Sequence, residues 1–390
     1  MDRRTLLKGT ALAGAGLAVG CERPSWRTED GAAQGPIGTP ALARQRRDLK
    51  LVTTWPKNFP GLGTAPERVA RFITEATEGA LTVKVFAAGE LVPAFEAFDA
   101  VSSGAADMYH GAEYYWQGKS KGFPFFTAVP FGLNANEINA WIHYGGGQEL
   151  WDELSAKFNI KPFACANTGV QMGGWFNREI HSVDDFRGLK IRMPGLGGEV
   201  LRRLGAAAVA LPGAEIFQSL QTGAIDATEW VGPWNDLAFG FYRVAKYYYW
   251  PGFHEPGSQL CLGTNLDVWN SFTPAQQRIV ELACAAETNF TFAEYNTRNA
   301  AALTDLIETH GVALRRFPDT VMAKLLEVSE QVNRELTEGD DLTRRIYESY
   351  RAARARGMAW NRISEEGFAA ARRLPTGAEA APQAPENGRG

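Results

Sequence analysis

Cysteine is scarce in this chain of 390 residues, four in all, and one of them, Cys21, lies close to the N-terminus. The others, Cys165, Cys261 and Cys284, are odd in number, sit in apolar surroundings and lack metal-ligand spacing. That pattern argues against a disulfide framework or a zinc site and for three buried thiols. The histidines, His110, His143, His181, His254 and His310, are scattered without ligand spacing, and no Gly-x-Ser-x-Gly, His-Glu-x-x-His or Walker loop occurs. The charge is nearly balanced, at a formal −4 with mixed signs and no long basic face, which sets nucleic acid aside as a partner. Beyond the N-terminal region no apolar run reaches membrane-spanning length.

What the chain does carry begins at its start. Asp2-Arg3-Arg4-Thr5-Leu6-Leu7-Lys8 resembles a twin-arginine export signal, and the Gly/Ala-rich run over 9–20 is too short and small-sided for a stable bilayer anchor. Ala18-Val19-Gly20-Cys21 resembles a lipoprotein processing site with Ala in place of the usual Leu. Either Cys21 is acylated or an ordinary peptidase cleaves near Gly20. The polar, Pro/Gly-rich stretch that follows reads as a tether.

A pattern of Glu-x-Phe, five residues, then Gly-Ala-x-Asp occurs twice, as Glu96, Phe98, Gly104, Ala105, Asp107 and as Glu215, Phe217, Gly223, Ala224, Asp226. Strands are expected at 49–54 and 81–86 with helices at 66–77 and 93–103, and again at 189–193 and 206–211 with helices at 197–204 and 214–222. Strand, helix, strand, helix makes parallel sheets with right-handed crossovers. Two such units in a chain too long for one core predict an α/β, two-lobed clamshell of the periplasmic binding protein type that closes on a small ligand. Extended stretches at 163–176 and 258–265 read as hinge crossings. From Thr273-Pro274 the chain turns helical, with helices expected at 274–296, 299–310, 319–338 and 341–373, the last long enough to pack on a second subunit. The expected layout is an export signal over 1–21, a tether over 22–47, a first lobe of 48–168 with 262–310, and a second lobe of 169–261. C-terminal helices over 311–373 and a disordered tail over 374–390 complete it.

Few groups are placed for chemistry. Gly195-Leu196-Gly197-Gly198 lacks the third glycine of a dinucleotide fingerprint and reads as a tight strand-to-helix turn. Arg192 alternates with Ile191 and Met193, so at a strand end it presents its fork either to a ligand carboxylate or to a neighbouring surface acid. Glu229, between Ala227 and Trp234, and Glu255, after Tyr247-Tyr248-Tyr249-Trp250, are acids in aromatic settings that require a cation or donors. With Gln171 they offer oxygen ligands only, which suits sodium or calcium and not zinc; helix caps or salt bridges are the alternative.

The runs Gln171-Met-Gly-Gly-Trp-Phe, Gly188-Leu-Lys-Ile-Arg, Ala227-Thr-Glu-Trp-Val-Gly-Pro and Tyr247-Tyr-Tyr-Trp-Pro-Gly-Phe-His-Glu resemble the DctP-type extracytoplasmic solute-binding proteins of TRAP transporters. More narrowly they resemble the branch that binds monocarboxylate 2-oxoacids or lactate through a metal ion. The resemblance covers 49–373 and implies two α/β lobes, a long helical C-terminal portion and dimers that exchange the terminal helix. It further implies that Arg192 binds the ligand carboxylate, that Gln171, Glu229, the Trp230 carbonyl and Glu255 hold Na⁺ or Ca²⁺, and that Trp175 and Tyr115, within Tyr114-Tyr115-Trp116, line the pocket. His254, beside Glu255, departs from the pattern.

The function expected on these grounds is that of a periplasmic binding subunit, not an enzyme. It captures a small 2-oxo- or 2-hydroxymonocarboxylate for the membrane subunits of a TRAP transporter, and works as a homodimer through its C-terminal helix. Two alternatives from other classes are an exported enzyme acting on small acids, with His254 and Glu255 as the pair to test, and a ligand-binding sensor subunit.

Overall fold

Two β-sheets, each backed by helices, organise residues 46–374, the part of the chain that the computed structural model describes. The export signal, Cys21, the tether up to residue 45 and the tail from 375 lie outside the described residues. The strands are β1 (Arg47–Thr53), β2 (Leu81–Phe86), β3 (Met108–Gly111), β4 (Ile160–Asn167), β5 (Gly174–Phe176), β6 (Lys190–Arg192), β7 (Ala207–Val209), β8 (Ala227–Thr228), β9 (Tyr247–Trp250), β10 (Gln259–Asn265) and β11 (Ala313–Arg316). The helices of the first half are α1 (Thr64–Ala76), α2 (Ala97–Ser102), α3 (Ala135–Tyr144), α4 (Gly147–Ala156), α5 (Gly195–Arg203), α6 (Gly213–Gln221) and α7 (Pro233–Phe239). Those that follow are α8 (Leu266–Asn270), α9 (Pro274–Glu308), α10 (Asp319–Glu335), α11 (Asp341–Ile363) and α12 (Glu365–Ala371).

The first sheet has the order β2-β1-β3-β10-β4 and the second β11-β9-β5-β8-β6-β7. In the first, β1 runs parallel to β2 and β3, and β10 is antiparallel to both β3 and β4. In the second, β6 is parallel to β7 and β8, while β5 is antiparallel to β8 and β9. The carboxyl ends of β1, β3 and β4 therefore share one edge with the start of β10, and those of β6, β8 and β9 share one with the start of β5. The segments 168–173 and 251–258 join these two edges directly, so both crossings run through the crevice where α/β sheets bind ligands.

Four differences from the expected layout have physical causes. β10 begins at Gln259, in the first sheet, because its residues pair with β3 and β4 rather than with the second lobe. The segment 313–316, expected among the C-terminal helices, is instead an edge strand parallel to β9, a third crossing. The helices expected at 274–296 and 299–310 are one helix of 35 residues. No proline or glycine interrupts 296–299, Asn296 Nδ2 donates back to Phe292 O (2.8 Å), and Asn299 Oδ1 accepts from Trp234 N (3.0 Å) instead of capping a new helix. Thr273 starts that helix with a capping box to Gln276. The helix expected over 341–373 breaks at Ser364, whose ψ of −94° is not helical.

The C-terminal helices strap both lobes. Arg203 on α5 pairs with Glu335 at the end of α10 (2.6 Å), and α11 meets the first lobe through Tyr350 Oη, which accepts from Leu133 N (2.7 Å), and through Arg345 on Glu153 (2.7 Å). No helix among the described residues is long and apolar enough to cross a membrane.

Candidate functional site

Arg192 is the last residue of β6 and is almost fully enclosed, at 1% exposure. Its Nε donates to Leu211 O (3.2 Å) and its Nη1 to Glu229 O (3.1 Å) and to Glu229 Oε1, while its guanidinium lies 5.0 Å from the centre of the Trp230 ring. The pairing that alternation left open is thus with a buried acid, not a surface one. Glu229 follows β8 directly, and its amide donates to Arg192 O (3.1 Å), which extends the β6–β8 ladder by one bond.

The two crossings supply the other members. Glu229 Oε2 lies 3.3 Å from His254 Nε2, and Gln171 Nε2 donates to Glu255 Oε2 (2.8 Å) and to Thr168 Oγ1 (3.2 Å). Backbone bonds fix these segments to each other: Gln171 N to Glu255 O (3.1 Å), Gly252 N to Gln171 O (3.0 Å), Met172 N to Val231 O (3.2 Å) and Thr168 N to Ser258 O (3.2 Å). Among the described residues, Glu229, His254 and Glu255 form a buried group whose ligand atoms all lie within 4.8 Å of one another. Burial, with the nearby charge of Glu229, pushes Glu255 up to about 7.

Buried polar atoms are nearly always hydrogen-bonded, so those that are not mark a place where something else is recognised. Gln171 Oε1, Arg192 Nη2, Trp230 Nε1 and His254 Nδ1 are all buried and have no hydrogen-bond partner within the protein. The residues present fit a hard cation: a free amide oxygen and two buried carboxylates, of which Glu229 is paired with Arg192 while Glu255 has no cationic side chain bonded to it, with the Trp230 backbone next in sequence to Glu229. His254 adds a nitrogen that touches one of the acids.

Aromatic residues of the first lobe close over this group. Tyr115 meets a tilted Phe95 ring and the edge-on ring of Tyr114 (4.7 and 4.9 Å between centroids), and burial pushes its hydroxyl up to about 12. Tyr114 packs at the turn formed by Gly195, whose φ of +63° strains any other residue and whose would-be Cβ lies 3.2 Å from the tyrosine ring, so a side chain there would push on Tyr114. Trp55, at the end of β1, lies 6.3 Å from both Tyr115 and Trp230, and Phe59 lies 6.2 Å from Trp230.

Of the residues singled out from sequence, the structure brings Arg192, Gln171, Glu229, Trp230, Glu255 and Tyr115 to this junction. It does not bring Trp175 there by any hydrogen bond or ring contact with Arg192, Glu229 or Glu255. The Trp175 ring stacks on Tyr248 (4.1 Å), and its Nε1 donates to Asp236 Oδ2 (2.9 Å), which also accepts from Tyr248 Oη (2.7 Å). Asp236 Oδ1 in turn accepts from Val231 N (3.3 Å), so Trp175 supports the segment that carries Glu229 and Trp230. Burial outweighs these donors and pushes Asp236 up to about 7. Trp55, Phe59, Thr168 and Asp236 were missed; the position of Trp55 just past the first strand was the one available signal.

The family model described as bacterial extracellular solute-binding protein, family 7 (DctP), matches residues 51–340, and it is the family that the motifs of this chain resemble. A monocarboxylate 2-oxoacid-binding periplasmic protein of Nostoc sp. is 39% identical over 370 residues, 94% of this chain and 98% of that protein. A TRAP periplasmic solute-binding protein of Pseudoalteromonas atlantica, with bound sodium and pyruvate, is 37% identical with a TM-score of 0.81, over 84% of this chain and 99% of its own. A TRAP transporter solute-binding protein of Bordetella bronchiseptica, a mixed-occupancy dimer with copurified calcium and picolinate, is 36% identical with a TM-score of 0.82, over 85% of this chain and 100% of its own.

Proposed function

The chain belongs to the bacterial extracellular solute-binding proteins of family 7, which are binding subunits and not enzymes, and from that premise we propose that it captures a small 2-oxo- or 2-hydroxymonocarboxylate for a TRAP transporter. The observation that carries this reading is the enclosed group of Arg192, Glu229, Glu255 and Gln171, with Arg192 Nη2 and Gln171 Oε1 left without protein partners. Arg192 receives the acid's carboxylate through its free nitrogen, a charge-assisted contact in a site from which water is excluded. Gln171, Glu229, the Trp230 carbonyl and Glu255 hold the cation, sodium in one relative and calcium in another. When bound, that cation supplies a Lewis-acidic partner for the carboxylate and its neighbouring 2-oxygen, so acids without that oxygen bind weakly. The aromatic wall of Trp55, Tyr115 and Trp230 limits the acyl chain, and lobe closure excludes water.

Assembly and location belong to the same proposal. Met358, Trp360 and Ile363 on α11 and Phe368 on α12 are exposed, and a groove of about 670 Å³ between α3 and α11 is lined by Trp141, Tyr144 and Trp360. A homodimer formed through the C-terminal helix covers this face, and one relative is a dimer. Export by the twin-arginine route and acylation of Cys21 place the protein in the periplasm, tethered to the membrane.

Native mass spectrometry of protein recovered from its own envelope fraction, with and without chelator and short 2-oxo- and 2-hydroxyacids, tests these points together. The expected masses are a dimer, an acyl group at Cys21, and one cation and one acid per subunit, with acid lost on chelation. Calorimetry on Arg192→Ala should show affinity lowered about a hundredfold or more, and Glu229→Ala and Glu255→Ala should lose the stoichiometric metal. Unchanged affinity, or full metal occupancy in both acid variants, overturns the corresponding assignment.

A further inference from the structure

Trp55 is held by its side chain as well as its backbone. Its indole Nε1 donates to His110 Nδ1 (2.8 Å), and His110 Nε2 faces Cys165 O at 2.6 Å, so the imidazole accepts on one nitrogen and donates from the other. All three residues are buried, Trp55 at 2% exposure and the other two at 0%. Burial pushes His110 down to about 4, which keeps the ring neutral and preserves this tautomer at every pH near neutrality. His110 lies in β3 and Cys165 in β4, so the bracket ties the end of β1 to two other strands of the first sheet. Thr53 Oγ1 accepts from Trp55 N (3.2 Å) and Ala88 N donates to Trp55 O (2.9 Å), which leaves the indole torsions as the freedom that His110 removes.

What the fixed indole faces gives this its functional meaning. Its ring lies 6.3 Å from Trp230, steeply inclined at 79°, and Trp230 is the residue over which the Arg192 guanidinium rests. Trp55 is therefore the first lobe's edge-to-face contact with the residue that covers the proposed acid-binding group. We infer that His110 is a positioning residue that sets chain-length specificity: by locking the Trp55 indole against Trp230 it fixes how long an acyl chain the closed site accepts. This rests on the reading of the site as a carboxylate chamber, and it concerns a residue that touches neither the acid nor the cation.

Three variants test it in the intact protein. His110→Leu leaves the indole N–H without an acceptor, whereas His110→Asn keeps an oxygen near the position of Nδ1 and should preserve the wild-type behaviour. Dissociation constants are measured for 2-oxoacids of three to six carbons, since a pocket grades substrates by about tenfold or more per methylene. The expected result is that His110→Leu lowers the preference for three over five carbons by about tenfold, with His110→Asn close to wild type. A purely structural role predicts equal weakening of every acid and an unchanged ratio, which overturns the inference. The Trp55 indole N–H resonance, identified by its loss in Trp55→Phe, reads positioning without any ligand. It should move in His110→Leu, and a resonance that stays in place overturns the claim on its own. A wild-type protein that binds none of these acids removes the chamber reading and the chain-length claim with it, while the resonance still reports whether His110 positions Trp55.

Discussion

The two copies of the Glu-x-Phe…Gly-Ala-x-Asp frame each lead to an acid at the end of the strand they introduce, Glu113 after β3 and Glu229 after β8. Up to that point they share a turn glycine and the aspartate's two bonds to the neighbouring strand, to which Lys190 Nζ adds contacts with Gly223 O (2.6 Å) and Asp226 (3.7 Å) in the second copy. Gly104 and Gly223 turn the chain at φ of +82° and +71°. Asp107 Oδ2 accepts from Lys50 N (2.7 Å) and Asp107 N donates to Lys50 O (3.0 Å); Asp226 does the same with Lys190, at 3.0 and 2.7 Å. Beyond the frame the partners differ in kind. Glu113 accepts from Tyr109 Oη and from Trp151 Nε1 (3.1 Å), neutral donors in a dry core, and burial pushes it up to about 6. Glu229 faces the Arg192 cation, with His254 and Glu255 alongside. An equally buried carboxyl is thus a core anchor where its partners are neutral and part of a binding group where they are charged and incompletely paired.

The sharpest way to break this comparison is to remove each acid. Glu229→Ala leaves Arg192 enclosed without its counter-charge, and stability without ligand should fall by about 3–5 kcal/mol, read from urea unfolding. A cost below about 1 kcal/mol would mean that Glu255 or water replaces Glu229 and that the two acids differ less than their partners suggest. Glu113→Gln should act in the opposite sense. The folded protein raises this carboxyl from 4.5 to about 6, so it prefers the protonated form. Its contribution is complete below 4.5 and is lost as pH rises through 6, at about 1.4 kcal/mol per unit of displacement, or about 2 kcal/mol by pH 7. A neutral glutamine escapes that loss, so Glu113→Gln should match wild type near pH 4 and exceed it by about 2 kcal/mol at pH 7. Parallel stability curves from pH 4 to 8 would show that Glu113 does not titrate in this range.

How much of this was legible in sequence depends on the range over which each signal acts. The frame was readable because strand alternation, helix length and a turn glycine are local, and Arg192 was readable because alternation puts it on the opposite face of its strand from Ile191 and Met193. Gln171, Glu229 and Glu255 were grouped in sequence as oxygen ligands, but only the family resemblance chose a cation over caps or salt bridges, since it is the two crossings that bring their distant segments to one edge. Trp175 was placed in the pocket by the family resemblance, and its local pattern could not correct that, because a buried tryptophan looks the same in sequence whether it faces a ligand or stacks on Tyr248. Trp55 went unnoticed and His110 was set aside with the other scattered histidines for a related reason: a lone histidine gives no sign in sequence of whether its ring nitrogens meet water, metal or an indole. The merged helix from Pro274 to Glu308 shows polar residues that resemble a break serving instead as sideways hydrogen-bond partners.

The smallest effect bears on the frame itself. Asp107→Ala and Asp226→Ala each remove an acceptor for one strand amide, Lys50 N or Lys190 N, while leaving the backbone bond beside it intact; Asp226→Ala also removes a long, exposed ion pair with Lys190 that adds little. Both carboxylates are partly exposed, so water can reach the freed amide, and each substitution should cost about 1 kcal/mol. If the frame is scaffold in both lobes, the two losses should agree within about 0.5 kcal/mol in denaturant midpoints. They should differ in a second readout, because Lys190 opens the strand that ends at Arg192 whereas Lys50 belongs to the strand that leads to Trp55. Asp226→Ala should therefore weaken the affinity for every acid together, and Asp107→Ala should leave the arginine contact intact. Equal losses of affinity in both variants would mean that the lobes transmit strain to the junction alike, and that the division between a charged side and an aromatic side does not extend into their scaffolds.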